Sequence, residues 1–457
     1  MATSRSGVRA AGWALGRALG PQRWAGCVRR YSSAPPEDVV VLGTAHKRDE
    51  WTNVGPAILG CTGRQLHLQP AHPIGIIKGL IESQFARSEY TPFSDLSPVV
   101  STYQNFDSLN FPADHPGRSR TDTYYVNAST VLRTHTSAHQ VEKFQASPTD
   151  GYLITADVYR RDAIDRSHYP AFHQMEGART WARGPDVVER IRADMARIPN
   201  SGIVTEDPNP PFEASRNPKQ PGHSDAEVVA VGEHLKRTLE MVVGEVFAQA
   251  KRAAVAAGTV TAAEADKPLQ VRWIEAYFPF TSPSWEMEVF WNGDWLELFG
   301  CGVVRQEVLD NAGMADRLGW AFGLGLDRLA MILFGVPDIR LFWTTDERFL
   351  GQFTPGTVST FRPYSKYPGT YRDTAFWLDS PDAVHENDVM EIVRGIAGDL
   401  VEDVRQIDEF THPKTGKKSV CYRINYQSME RSLTNDEVNV MHEAIRAEIG
   451  RLPVTLR

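Results

Sequence analysis

Twenty residues, Val158 to Gly177 (VYRRDAIDRSHYPAFHQMEG), limit what this chain can become more than any other stretch of it. The alternation at Val158, Arg160 and Asp162 predicts a strand leaving a sheet. Ala171 to Glu176 predicts its return, and the polar run Ile164 to Tyr169 closes a hairpin. A hairpin aims several side chains at one ligand. An arginine offers a fixed fork to a phosphate, Phe172 a flat face to a base, and Gln174 and Glu176 oxygen atoms to an ammonium group. The competing reading is an edge hairpin whose charges are merely solvated.

A second segment argues against solvated charge alone. GWAFGLGLDRLAM, Gly319 to Met331, carries Gly323, Gly325 and Arg328 in a GxGxxR pattern at a predicted strand-to-helix junction. A lone glycine-rich turn is weak evidence. Here the turn ends in an arginine on a helix whose apolar face continues through Leu329, Met331 and Ile332, so a second phosphate-seeking cation is presented by a buried helix.

With FSDLSPVV around Pro98, these segments resemble, in order, motifs 1, 2 and 3 of the class II aminoacyl-tRNA synthetases. NFDSLNFPADHPGR (Asn105 to Arg118), LRTHTSAHQ (Leu132 to Gln140), FHQMEG (Phe172 to Gly177), YFPFTSPS (Tyr277 to Ser284), WLELFGCG (Trp295 to Gly302) and PDIRLF (Pro337 to Phe342) narrow the resemblance to phenylalanyl-tRNA synthetases of the compact one-chain type. The resemblance implies an α+β fold: a class II catalytic domain built on an antiparallel sheet, followed by a ferredoxin-like anticodon-binding domain. It implies ATP and Mg2+ as cofactors, L-phenylalanine and mitochondrial tRNA(Phe) as partners, a monomer, and no membrane association. By matching motifs, Arg160 holds the α-phosphate and the substrate carboxylate. Arg328 holds the γ-phosphate and covers one face of the adenine, while Phe172 covers the other. Glu297 binds Mg2+ or its water shell, and Ser167, His168 and Tyr169 approach ATP from the motif 2 loop. The phenylalanine site takes His135, Ser137, Gln174 and Glu176 around the amino group, with Phe278, Phe280, Ala321 and Phe322 around the ring, and Ala138, His139, Gln140 and Met175 also counted as phenylalanine-binding. Two positions depart from the family's habit: Asp162 and Asp327 stand where glutamate is usual, which shortens their reach.

Residues 1–36 contain six arginines and no acid, the composition of a mitochondrial transit peptide, with cleavage expected near Arg30 to Ser32. Formal charge is −8, and losing those arginines makes it −14, so no global basic field advertises RNA binding. Any nucleic-acid surface must be local. The four cysteines, Cys27, Cys61, Cys301 and Cys421, form no CxxC pair and read as reduced thiols. His135, His139, His168 and His173 invite a zinc reading, but no cysteine or third ligand falls at metal spacing.

The expected layout is a catalytic domain over 37–343, a linker over 344–363 and a second domain over 364–457. In the first, an amphipathic helix spans Ile76 to Phe85. A Pro/Asn-rich loop from Asn200 to Gly222 leads into the capping box Ser224-x-x-Glu227 and a long helix with Val228, Val231, Leu235, Leu239, Val242 and Val246 on one face. In the second, strand, helix, two strands, helix and a short strand run from Asp373 to Leu456 as a split βαβ arrangement. Lys414, Lys417, Lys418 and Arg423 form a local basic patch for tRNA, and Phe376, Trp377, Tyr422 and Tyr426 could stack bases. The two modules leave no place for a separate editing domain, so selectivity is expected to reside in the amino-acid pocket. Three alternatives stand beside this reading. They are a catalytically dead relative, which would be expected to lose Arg160, Arg328 or Glu297, a phosphoserine-type relative, which would need polar groups at Phe278 and Phe280, and a ligase that does not act on tRNA, which would have no use for the second domain.

Overall fold

The computed structural model describes residues 37–457 apart from 292, 364–366, 381–382 and 429. The expected transit peptide lies outside the described residues. The catalytic half is built on an eight-stranded sheet. Its strands in chain order are β1 (Tyr90–Phe93), β2 (Gly151–Tyr159), β3 (Ala171–Ala182), β4 (Val204–Glu206), β5 (Gln270–Phe278), β6 (Thr281–Trp291), β7 (Asp294–Val304) and β8 (Arg317–Gly325). They lie side by side as β1-β2-β3-β8-β7-β6-β5-β4. The six central strands pair antiparallel, and only the two edges, β1 on β2 and β4 on β5, are parallel.

One face of this sheet is closed by helices. Helix α1 (Pro73–Glu82) buries Ile74, Ile76, Ile77 and Ile81. It begins three residues earlier than its apolar spacing predicts, because Pro73 is suited to a first helical turn and the His72 ring accepts the Ile74 N–H at 3.2 Å. Helix α2 (Asp225–Ala256) starts at the expected capping box, with Ser224 and Glu227 satisfying each other's backbone N–H. Its apolar stripe settles over Trp273, Trp285 and Trp320, three fully buried rings. Gly232 lets the helix approach: a Cβ there would stand 3.1 Å from the Trp285 ring. On the opposite face a smaller core that includes Phe144, Tyr152, Ile154, Ala178, Val308 and Leu309 covers one part, and the rest is left for a ligand.

Two sequence expectations change here. The motif 2 strand ends at Tyr159 rather than continuing through Asp162. All nine residues of β2 are buried, so alternation of burial is not what defines this strand. The expected loop before α2 also contains the short edge strand β4.

The second half holds β9 (Thr370–Leu378), α4 (Glu386–Ala397), β10 (Val401–Thr411), β11 (Lys418–Tyr426), α5 (Asn435–Ile449) and β12 (Val454–Leu456), in the sheet order β10-β11-β9-β12. Here α3 denotes Leu326–Phe334, the helix that follows β8. The stretch expected to be a linker is packed rather than loose. Phe349, Phe353 and Phe361 are buried, and Phe353 meets Phe334 of α3 edge-on with centroids 5.3 Å apart. Among the described residues no helix is long and apolar enough to cross a membrane.

Candidate active site

Strand register assembles the site. Ile154, Glu176, Gly323, Gly300 and Glu286 form one row across β2, β3, β8, β7 and β6. Tyr152, Ala178, Ala321 and Gly302 form the next row on the same face. Apart from Ile154 and Tyr152 on β2, alternation therefore gives this face acids, alanines and glycines, while the bulky residues between them on β3 and β8 turn to the helices. The result is a cavity of about 520 Å³. Of the expected residues, His135, Ser137, Gln140, Arg160, Gln174, Glu176, Phe278, Phe280, Glu297, Ala321 and Phe322 border it. At Gly323 and Gly325 an added Cβ would meet nothing within 4 Å.

The polar end is organised around Glu176, which is 2% exposed. Three donors converge on its carboxylate: the Ser137 hydroxyl, Gln140 Nε2 at 3.1 Å and the Tyr152 hydroxyl at 2.9 Å. Burial outweighs them and pushes the Glu176 carboxyl up to about 7. A carboxylate so placed gains most from an arriving cation. Tyr152 stays a donor, since burial and the Glu176 charge hold its phenol well above its ordinary value. Burial first and the Arg160 charge second push the His135 ring down to about 3, so it is neutral.

Arg160 lies just past β2, anchored through its backbone N–H to Pro170 O at 3.0 Å and through Nε to Thr134 O at 2.8 Å. Its guanidinium sits 5.2 Å from the Phe172 ring centroid. The apolar wall is aromatic. Phe278 and Phe280 stack with centroids 6.0 Å apart, and Phe111 stacks on His135 at 5.4 Å and approaches Phe280 at 6.1 Å. Glu297 is exposed at the cavity's border, across the strand pair from Glu288.

Several expected residues stand elsewhere. Met175 is fully buried in the helix-side core because it alternates with Gln174 and Glu176. Phe322 borders the cavity, yet its ring packs against Phe85, Phe299 and Trp320 in that same core. Ala138 packs with Val100, Phe106, Tyr125 and Val131. His139 turns to Arg133 at 3.0 Å. Phe172, partly exposed, and Arg328, exposed, lie outside the cavity proper. In the motif 2 loop, Ser167 and His168 both bond Asp165. Tyr169 stacks on Trp343 and gives its hydroxyl to Asp399 of the second half at 2.8 Å, so it faces that domain and not the cavity.

Of the tRNA candidates, Lys414 and Lys417 are exposed, Lys418 pairs with Glu409 at 2.9 Å, and Arg423 pairs with Asp373 and lies over the Tyr371 ring. Phe376, Tyr422 and Tyr426 are buried under the sheet and cannot stack bases there; Trp377 is half-buried. The site also draws on Phe111 and Tyr152, which sequence reasoning did not single out. Phe111 lay inside a quoted motif string, whereas nothing local marks Tyr152.

Comparison with known proteins places this geometry. The class II core domain (F) of tRNA synthetases matches residues 59–181 and 238–353, and the ferredoxin-fold anticodon binding domain matches 365–457. The chain is 51% identical over 453 residues to the mitochondrial phenylalanine–tRNA ligase of Saccharomyces cerevisiae, covering 93% of this chain and 96% of the relative. It is 42% identical to the mitochondrial phenylalanine–tRNA ligase of Mus musculus, covering 90% and 87%. It is 43% identical to the chloroplastic/mitochondrial phenylalanine–tRNA ligase of Arabidopsis thaliana, covering 94% and 89%.

Proposed function

This chain belongs to the phenylalanine–tRNA ligases, with a class II core and a ferredoxin-fold anticodon-binding domain, and from that membership we propose that it activates L-phenylalanine with ATP and transfers it to mitochondrial tRNA(Phe). The observation that carries the reading is the content of one cavity: a buried carboxylate, a half-buried guanidinium and an aromatic wall. Those three groups complement the ammonium, carboxylate and ring of one aromatic amino acid. Glu176 takes the ammonium group, with Gln174 beside it, and Arg160 takes the carboxylate. Phe278 and Phe280 meet the ring, each aromatic pair adding about 0.5–1.5 kcal/mol beyond the area buried.

The carboxylate oxygen of phenylalanine attacks the α-phosphorus of ATP and pyrophosphate leaves. A ribose hydroxyl of the tRNA then attacks the resulting carbonyl and AMP leaves. Neither step needs a side-chain nucleophile. The chain's own contribution is positioning and charge: Arg160 against the α-phosphate, and Phe172 and Arg328 on the two faces of the adenine, with Arg328 also reaching the γ-phosphate. The site suits Mg2+ chemically. Glu297 at the cavity border offers a hard oxygen donor, and burial first, then the charge of Glu297, raises the pKa of the neighbouring Glu286, a repulsion that a divalent cation relieves. Bound there, the ion would shield the phosphate charge.

Mitochondrial relatives and the arginine-rich, acid-free first 36 residues support action in the mitochondrial matrix, as a monomer. Residues 37–343 act as the catalytic domain, 344–363 as the connection and 364–457 as the anticodon-binding domain, with Lys414, Lys417, Lys418 and Arg423 toward the tRNA. Charging of mitochondrial tRNA(Phe) by the purified chain tests the proposal. Phenylalanyl-tRNA is expected, and charging with a different amino acid in its place would refute it.

A further inference from the structure

Strand β8 ends at Gly325, paired with Gln174 of β3. One residue further out, the His173 N–H points past the end of β8 and has no strand carbonyl to meet. Asp327, the second residue of α3, takes its place: Oδ2 accepts the His173 N–H at 2.5 Å and lies 3.1 Å from the same residue's ring Nδ1. Both side chains are almost completely buried, His173 at 0% and Asp327 at 3%. The His173 ring also stacks on Trp343 with centroids 5.5 Å apart and an interplanar angle of 22°. A buried carboxylate with two donors from one residue is a short and directional tie. Its sequence neighbours give it meaning, since His173 follows Phe172 and Asp327 precedes Arg328.

We propose that Asp327 is a positioning residue for ATP, holding the motif 2 strand to the motif 3 helix through His173 and so fixing the distance between Phe172 and Arg328. The inference rests on the reading that these two side chains enclose the adenine. Shortening from glutamate to aspartate then has a structural sense, because the carboxylate must stay close to the helix start to reach a backbone N–H on the next strand. Nothing in the tie touches the phenylalanine cavity, whose boundary includes neither residue.

The test uses full-length protein and ATP–pyrophosphate exchange, with the active fraction measured by a stoichiometric burst. Asp327→Ala should raise KM for ATP about tenfold or more, the scale expected for losing hydrogen bonds to a charged group, and leave KM for phenylalanine within about twofold. Asp327→Asn keeps an oxygen for the His173 N–H and should recover most of the ATP affinity. His173→Phe keeps the backbone donor while losing the ring nitrogen, and should fall between. If Asp327→Ala does not fold, the latter two variants still separate the two KM values. Equal changes in both KM values, or a loss of active fraction with both unchanged, would overturn the proposal. Wild-type exchange with phenylalanine is the control: its absence would count against the function itself, not against the role of Asp327.

Discussion

Removing one hydroxyl, in Tyr152→Phe, should make phenylalanine activation more sensitive to acid while leaving ATP binding alone. Tyr152 is 1% exposed, meets Phe144 edge-on at 5.1 Å, and gives Glu176 one of its three side-chain donors. The substitution keeps the ring and its packing. A hydrogen bond to a charged group contributes about 1.5–3 kcal/mol, and one pKa unit corresponds to about 1.36 kcal/mol. The Glu176 carboxyl, already pushed up to about 7 by burial, should therefore rise by roughly one to two further units. Only ionised Glu176 binds the ammonium group, so kcat/KM for phenylalanine falls as pH drops through this pKa. Well below both pKa values the variant should trail wild type by about 10- to 100-fold. Well above both, the two should converge. Titration of the substrate's own amine cancels in the variant-to-wild-type ratio. The assay is pyrophosphate exchange from about pH 5.5 to about 10 in steps of about half a unit, chosen to bracket these values. A ratio that stays flat across pH, or a matching rise in KM for ATP, would show that Tyr152 does not govern the charge of Glu176.

Gly323→Ala adds a methyl that meets no protein atom within 4 Å, so thermal stability should hold or rise slightly while pyrophosphate exchange drops about tenfold or more; Gly302→Ala, whose Cβ would stand 2.5 Å from Pro283 O, should instead lose stability. Equal unfolding temperatures for the two would contradict this reading of the cavity floor. Ala321→Gly should enlarge the ring pocket and raise activity toward para-chlorophenylalanine relative to phenylalanine, whereas wild type should reject tyrosine by only about 10²; exchange kinetics with the three amino acids decide it, and unchanged relative specificity would be the adverse result. The motif 2 loop is held by the second domain through Arg161–Asp388, Arg166–Glu402 and Tyr169–Asp399, so tRNA binding should release these contacts and reorient the domains. Solution scattering with and without tRNA measures this, and identical protein geometry in both states would refute it.

The parts of the fold written locally were legible. Capping boxes at Ser224 and Thr434 announce α2 and α5 because the interaction is made within one turn. The second domain's order of strands and helices is the expected one because burial alternates along β9 and most of β11. Strand β2 was misjudged at its end because it is buried on both faces, which removes the alternation that marks a strand's extent. The site was legible as a set of strings but not as a set of contacts. FHQMEG contains Phe172, Gln174 and Glu176 on one face and His173 and Met175 on the other, and resemblance credited Met175 with a role that the pleat denies it. Phe322, between Ala321 and Gly323, borders the cavity but packs its ring in the helix-side core. Tyr152 and Asp327 act through partners 24 and 154 residues away, a relation no window of sequence displays. Aromatic residues in the second domain looked equally suited to bases or to a core, and burial settles Phe376, Tyr422 and Tyr426 as core.

Pyrophosphate exchange by the purified chain with each of the twenty amino acids, run beside Arg160→Ala, tests the central claim most directly. The account predicts strong exchange with phenylalanine, weak exchange with tyrosine, and a loss of about 10²–10³ in the Arg160 variant while it remains folded. Exchange that prefers a polar amino acid, or near-normal turnover without the Arg160 guanidinium, would contradict it.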